Sequence, residues 1–152
     1  MPHGLEHGTV LEAFRRHRHD VLNHLQIIRA LIQMNRSERA MAAIDRLAEW
    51  LQSLGRVQQA VFSSAEPVVW VLAGCPHVVV ADIVVEQAPE GDAVEQWVAF
   101  LTELEARLAA EGRSLRVKLR IGAKTLRVEW DAPELEMADW RDRYPHVDFA
   151  RG

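Results

Sequence analysis

Apolar side chains recur at three- and four-residue steps through the first part of the chain, then give way to two-residue alternation. Leu11, Phe14, Val21, Leu25, Ile28 and Ile32 form the first series, interrupted by Arg18. That spacing predicts an amphipathic helix from Val10 to Gln33, with a seam of the kind that packs helices into bundles. A break follows at Asn35-Arg36-Ser37, with Ser37 a suitable N-cap for the next helix. The second series, Ile44, Leu47, Leu51, Leu54, Gln58 and Val61, predicts a helix from Glu38 to Phe62. Two long helices on a short turn make an antiparallel hairpin. Such a hairpin leaves one apolar face open, so a homodimer closing a four-helix bundle is expected.

At Ser63-Ser64-Ala65-Glu66-Pro67 the composition moves from leucine and alanine to valine. A boundary is expected there, giving a flexible start over residues 1–9, a helical hairpin over 10–62 and a C-terminal α+β domain over 67–152. Within that domain the pattern predicts a short helix from Pro67 to Ala73, a strand from His77 to Gln87 and a helix from Ala93 to Glu111. Leu115, Val117, Leu119 and Ile121 alternate cleanly, predicting a hairpin of Ser114–Ile121 and Thr125–Trp130 around Gly122-Ala123-Lys124. Trp130, Trp140 and Tyr144, with Pro133 and Pro145, are expected to pack the tail onto the sheet. The acidic tail from Asp131 to Asp148 is also a candidate partner-binding segment.

Chemistry concentrates in Phe14-Arg15-Arg16-His17-Arg18-His19-Asp20-Val21-Leu22-Asn23-His24-Leu25-Gln26. With the seam taken as heptad positions a and d, His19 falls at e, where its base is held by neighbours and its ring faces solvent. Arg15, Arg16, Leu22, Asn23 and Gln26 lie three, four or seven residues away and share its face. An arginine fork one turn off suits phosphoryl oxygens, and Asn23 suits hydrogen bonding to the imidazole or a partner group. Asp20 is turned by roughly 100° around the axis, within reach of the ring edge through a rotamer or a water.

The Arg18-His19-Asp20-x-x-Asn23 pattern, followed by Leu25 and Gln26 at the head of a long apolar helix, resembles the phosphoacceptor helix of the sporulation-initiation phosphotransferase family and of sensor kinases sharing its histidine box. The resemblance implies a dimeric four-helix bundle and, in the C-terminal half, a shrunken histidine-kinase ATPase domain. It implies a phosphorelay in which His19 takes the phosphoryl group from the aspartate of one response-regulator receiver domain and passes it to another. Arg16, Asp20 and Asn23 are then the supporting residues. A sporulation pathway follows from the resemblance alone.

The remaining features bound that reading. All eight glycines are isolated, at 4, 8, 55, 74, 91, 112, 122 and 152, so no Gly-rich loop is available to cradle phosphates, and the helix over 93–111 contains no asparagine to help hold magnesium. Autokinase activity is therefore not expected. Magnesium is expected to come with the receiver, because no carboxylate cluster flanks His19. No cofactor or metal is assigned to this chain: His17 and His24 share a face and Asp20 and His24 are four apart, but two ligands do not hold a structural zinc. Cys75, the single cysteine, cannot form an internal disulfide and is read as packing. Net charge is −4, yet residues 1–62 carry 8 Lys and Arg against 6 Asp and Glu, a balance that suits an acidic protein partner and not nucleic acid. Gly74, Pro76, His77 and Asp82 break the most apolar stretch, so no membrane span or secretory leader is expected, and cytoplasm is the default. Two rival readings use the same surface: a non-catalytic module that binds a kinase or receiver, and the core of a sensor histidine kinase.

Overall fold

A computed structural model describes residues 7–60, 65–130, 132 and 138–151. Residues 1–6, Val61, Phe62, Ser63, Ser64, Asp131 and Pro133, for which expectations were stated, lie outside that set. The first helix, α1 (His7–Gln33), turns back into α2 (Ser37–Ala60) through a left-handed residue, Asn35, at φ 59. The Arg36 amide donates to Leu31 O at 2.8 Å and the Asn35 amide to Ile32 O at 3.0 Å, the paired bonds that close a helix on a residue of positive φ. Ala40 N donates to Arg36 O at 2.9 Å, so the half-in position at the start of α2 is Arg36, one residue before the expected Ser37.

The elements that follow are α3 (Glu66–Leu72), β1 (Val78–Val85), α4 (Gly91–Glu111), β2 (Leu115–Ile121), β3 (Leu126–Trp130), α5 (Ala138–Arg143) and β4 (Val147–Arg151). The molecule is α+β. Its sheet runs β1-β2-β3-β4, with β1 parallel to β2, β2 antiparallel to β3, and β3 parallel to β4. A parallel pair needs a crossover, which α4 supplies between β1 and β2. Strand β2 alternates buried and exposed along its whole length; its inner side chains share a core with Trp97, Phe100, Leu101, Leu104 and Leu108 of α4. Helix α4 ends at Gly112, φ 65, where two amides again return to the last turn.

Two elements were absent from the sequence-based expectation. Six-residue α5 is too short to show a period, and β4 contributes only Val147 and Phe149 to the core, too few to register as alternation. The tail does pack on the sheet: Trp130, Trp140 and Phe149 are buried and form edge-to-face pairs with one another or with Phe100. Pro145 is exposed and takes no part.

The hairpin rests on this α/β layer. Arg56 Nη1 donates to Val80 O at 3.1 Å, Glu49 pairs with Arg116, and Val57 is fully buried in the same core as Leu72, Val78 and Trp97. Inside the hairpin, Val21, Ile28 and Leu31 pack against Ala40, Ala43, Leu47 and Trp50. This divides the seam expected for α1. Val21 and Ile28 face α2, whereas Leu11, Phe14, Leu25 and Ile32, with Leu22, form an adjacent exposed stripe. On α2 the same division leaves Leu47 buried and Ile44 and Leu51 exposed. A three-four spacing marks an apolar sector of a helix without saying which half of it meets the partner within the chain. Among the described residues no helix is long and apolar enough to cross a membrane.

Candidate functional site

Three histidines near the middle of α1 meet three different environments. His17 is half-buried; its Nδ1 donates to Ala73 O at 2.7 Å, and its ring centroid lies 5.4 Å from that of Trp50. His24 is half-buried as well, donating from Nδ1 to Asp20 O at 2.8 Å and stacking on Trp50 at 6.1 Å. A carbonyl can only accept, so both rings carry their proton on Nδ1. His19 is exposed and makes no hydrogen bond among the described residues. Its offset of roughly 140–160° around the axis from His17 and His24 places it outside the hairpin's own core.

The residues expected to support His19 separate into two groups. Arg15, Leu22, Asn23 and Gln26 are all exposed on its strip, with Arg15 held 3.4 Å from the Glu12 carboxylate. Asn23, one turn on, is the closest helical neighbour able to orient a bound group. Arg16 lies further around the axis and leans over the α3–β1 turn: a Cβ added to Gly74 would sit 3.3 Å from Arg16 Cδ. Asp20 turns the same way. Its carboxyl is half-buried, and desolvation raises its pKa against the opposing pull of Arg16, with Glu105 raising it further and His19 and His24 lowering it. One of its oxygens, Oδ2, is buried without a hydrogen-bond partner among the described residues. No hydrogen bond joins Asp20 to His19.

A second polar pair escaped sequence reading. Glu105, 6% exposed on α4, accepts the His77 backbone amide at 2.9 Å through Oε1 and meets His77 Nδ1 at 2.6 Å through Oε2. That hydrogen bond pushes the His77 pKa up; burial opposes it, and the charges of Glu105 and Asp20 add to the rise. The signal was available, because Trp97, Leu101, Glu105 and Leu108 share one helical row, and a carboxylate in an apolar row needs a partner. Cys75 is buried with its thiol pKa driven strongly upward by desolvation, consistent with packing. Among the described residues no group of three or more His, Cys, Asp or Glu is placed to hold a metal ion.

The arrangement therefore offers an exposed imidazole at His19, beside an exposed apolar stripe and one turn from Arg15, on a helix whose other side packs His17 and His24 against Trp50. Such a ring can act as a nucleophile toward a docked electrophile without any movement of the fold. Residues 5–60 match the family model described as the sensor kinase SpoOB-type alpha-helical domain. Neither curated proteins nor solved structures give a match.

Proposed function

Because residues 5–60 match the SpoOB-type alpha-helical domain model, we propose that the chain is a phosphorelay-related protein of two-component signalling and that it moves a phosphoryl group between response-regulator aspartates through His19. The observation that supports this most is the contrast among the helix histidines. His17 and His24 are fixed by backbone carbonyls, while His19 alone of the three is exposed and unengaged.

In the forward step the unprotonated ring nitrogen of His19 attacks phosphorus. The acyl O–P bond of the receiver's aspartyl phosphate breaks, its carboxylate leaves with the electron pair, and an N–P bond forms. The second receiver's carboxylate reverses the exchange and regenerates neutral imidazole. No electron transfer is involved, and little covalent work falls to the protein beyond alignment and charge screening. Arg15 and Arg16 supply positive charge within one turn of His19, and Asn23 orients the ring or the transferring group. Asp20, beside Arg16 and half-buried, supports this arrangement from behind. Magnesium comes with the receiver's acidic pocket.

The chain works as a homodimer in this reading. Leu22, Leu25 and Phe14 on α1 and Ile44 and Leu51 on α2 form exposed stripes on adjoining helices, and a second copy covering them makes a four-helix bundle with His19 at its edge. Label transfer from a phosphorylated receiver tests the whole proposal. His19→Ala should abolish transfer while leaving the fold intact. Asn23→Ala and Arg16→Ala should slow transfer by roughly 10- to 1,000-fold, on the scale of electrostatic transition-state contributions. His17→Ala and His24→Ala should remain active. If label acceptance follows His17 or His24, the acceptor is misassigned; if no histidine matters, a non-catalytic binding module replaces this reading.

A further inference from the structure

Where α1, α3 and α4 meet, the two halves of the chain enclose a half-open cavity of 220 Å³, walled mainly by Ala13, Pro67, Trp70, Val71 and Val98. Its polar lining groups are nearly all satisfied within the protein. Glu12 faces Arg15 at 3.4 Å, Trp70 Nε1 donates to Glu66 Oε1 at 3.2 Å, and Thr102 Oγ1 donates to Val98 O at 2.8 Å. The Cys75 thiol is directed at Leu101 O, 3.9 Å away. Arg16 is the exception.

Among the described residues Arg16 makes no hydrogen bond or ion pair, although the Asp20 carboxylate is near enough to feel its charge. Gly74 lacks the Cβ that would crowd Arg16 Cδ and Nε, so the arginine stem lies against the turn and its head borders the cavity. A guanidinium fork on an apolar cavity matches a carboxylate on an apolar body, because the fork satisfies both oxygens while the walls take the hydrocarbon. Size narrows the class. Pockets for drug-sized ligands span roughly 300–1,000 Å³, so 220 Å³ admits a single ring or a short branched chain and excludes a nucleotide.

We propose that this cavity binds a small monocarboxylate with an aromatic or branched apolar body, its carboxylate held by Arg16. The site shares Arg16 with the phosphotransfer reading, but carboxylate binding is read directly by titration and does not depend on transfer through His19. Because its walls come from α1 on one side and from α3 and α4 on the other, an occupant fastens the hairpin to the α/β layer.

The test is an NMR titration of the full chain, labelled with nitrogen-15, using 3-phenylpropionate and its neutral amide. The acid should give saturable shifts clustered at residues 12–16, 70–75 and 98–102, with a dissociation constant below about 1 mM. The amide should bind about tenfold more weakly or worse, having lost the charge-assisted bonds. Arg16→Gln should erase the preference for acid over amide, and Val98→Phe should fill the cavity and weaken both. The absence of saturation by about 10 mM acid, shifts that map elsewhere, equal binding of acid and amide, or a preference surviving Arg16→Gln would each overturn the proposal. If Val98→Phe fails to fold, the Arg16→Gln comparison decides alone.

Discussion

Glu105 shows how much a single residue can carry. Its two oxygens hold both the amide and the ring of His77 from inside an otherwise apolar helix face. Glu105→Ala would leave those donors without a partner in a half-buried setting, and should destabilise the fold by about 1–3 kcal/mol in urea denaturation. The pH dependence has a definite sign. The folded-state pKa of His77 is raised above the ordinary 6.5, so the ion pair's contribution is fully present below that value and lost as pH rises through the folded pKa. Urea midpoints should therefore fall between mildly acidic and alkaline pH in the wild type, and His77→Gln should flatten that fall. An unchanged slope in the variant would show that other groups set it. At this scale the sequence was uneven. The exposed positions of His19 and its strip were legible from helical angle, whereas the lean of Arg16 over the α3–β1 turn and the half-burial of Asp20 depend on where α3 packs, which no local spacing encodes.

Elements were legible where their period ran long. The two hairpin helices, α4 and the β2–β3 hairpin emerged within a few residues of their bounds, and α5 and β4 were lost because each is too short to show a pattern. The division of the hairpin's apolar sector has a direct consequence. Leu25 is 49% exposed and Leu51 39% exposed, so neither is needed to hold one copy together. Leu25→Asp or Leu51→Asp should give a folded monomer with unchanged helical circular dichroism. Leu47→Asp should instead unfold the hairpin, since an unpaired carboxylate in a packed core costs several kcal/mol. Sedimentation at tens of micromolar distinguishes these outcomes; a monomeric wild type would remove the four-helix assembly.

Over the whole molecule, the hairpin and the α/β layer share one core at Val57, reinforced by the Arg56 bond to Val80 and by His17 on Ala73. They should unfold in one transition by calorimetry, and Val57→Ala should lower it by about 2 kcal/mol without splitting it. Two separated transitions would show that this junction contributes little. Composition pointed to a boundary near residue 64, but composition cannot report a valine from one side buried in the core of the other. The central claim, transfer through His19, is tested most directly by mixing the protein with a receiver carrying labelled aspartyl phosphate, quenching quickly, and treating with base. Acyl phosphate is hydrolysed there and phosphohistidine survives. The account predicts base-stable label on the peptide containing His19, and its loss to a second receiver on a chase. Label that vanishes entirely on base treatment, or that resides on a peptide lacking His19, would contradict it.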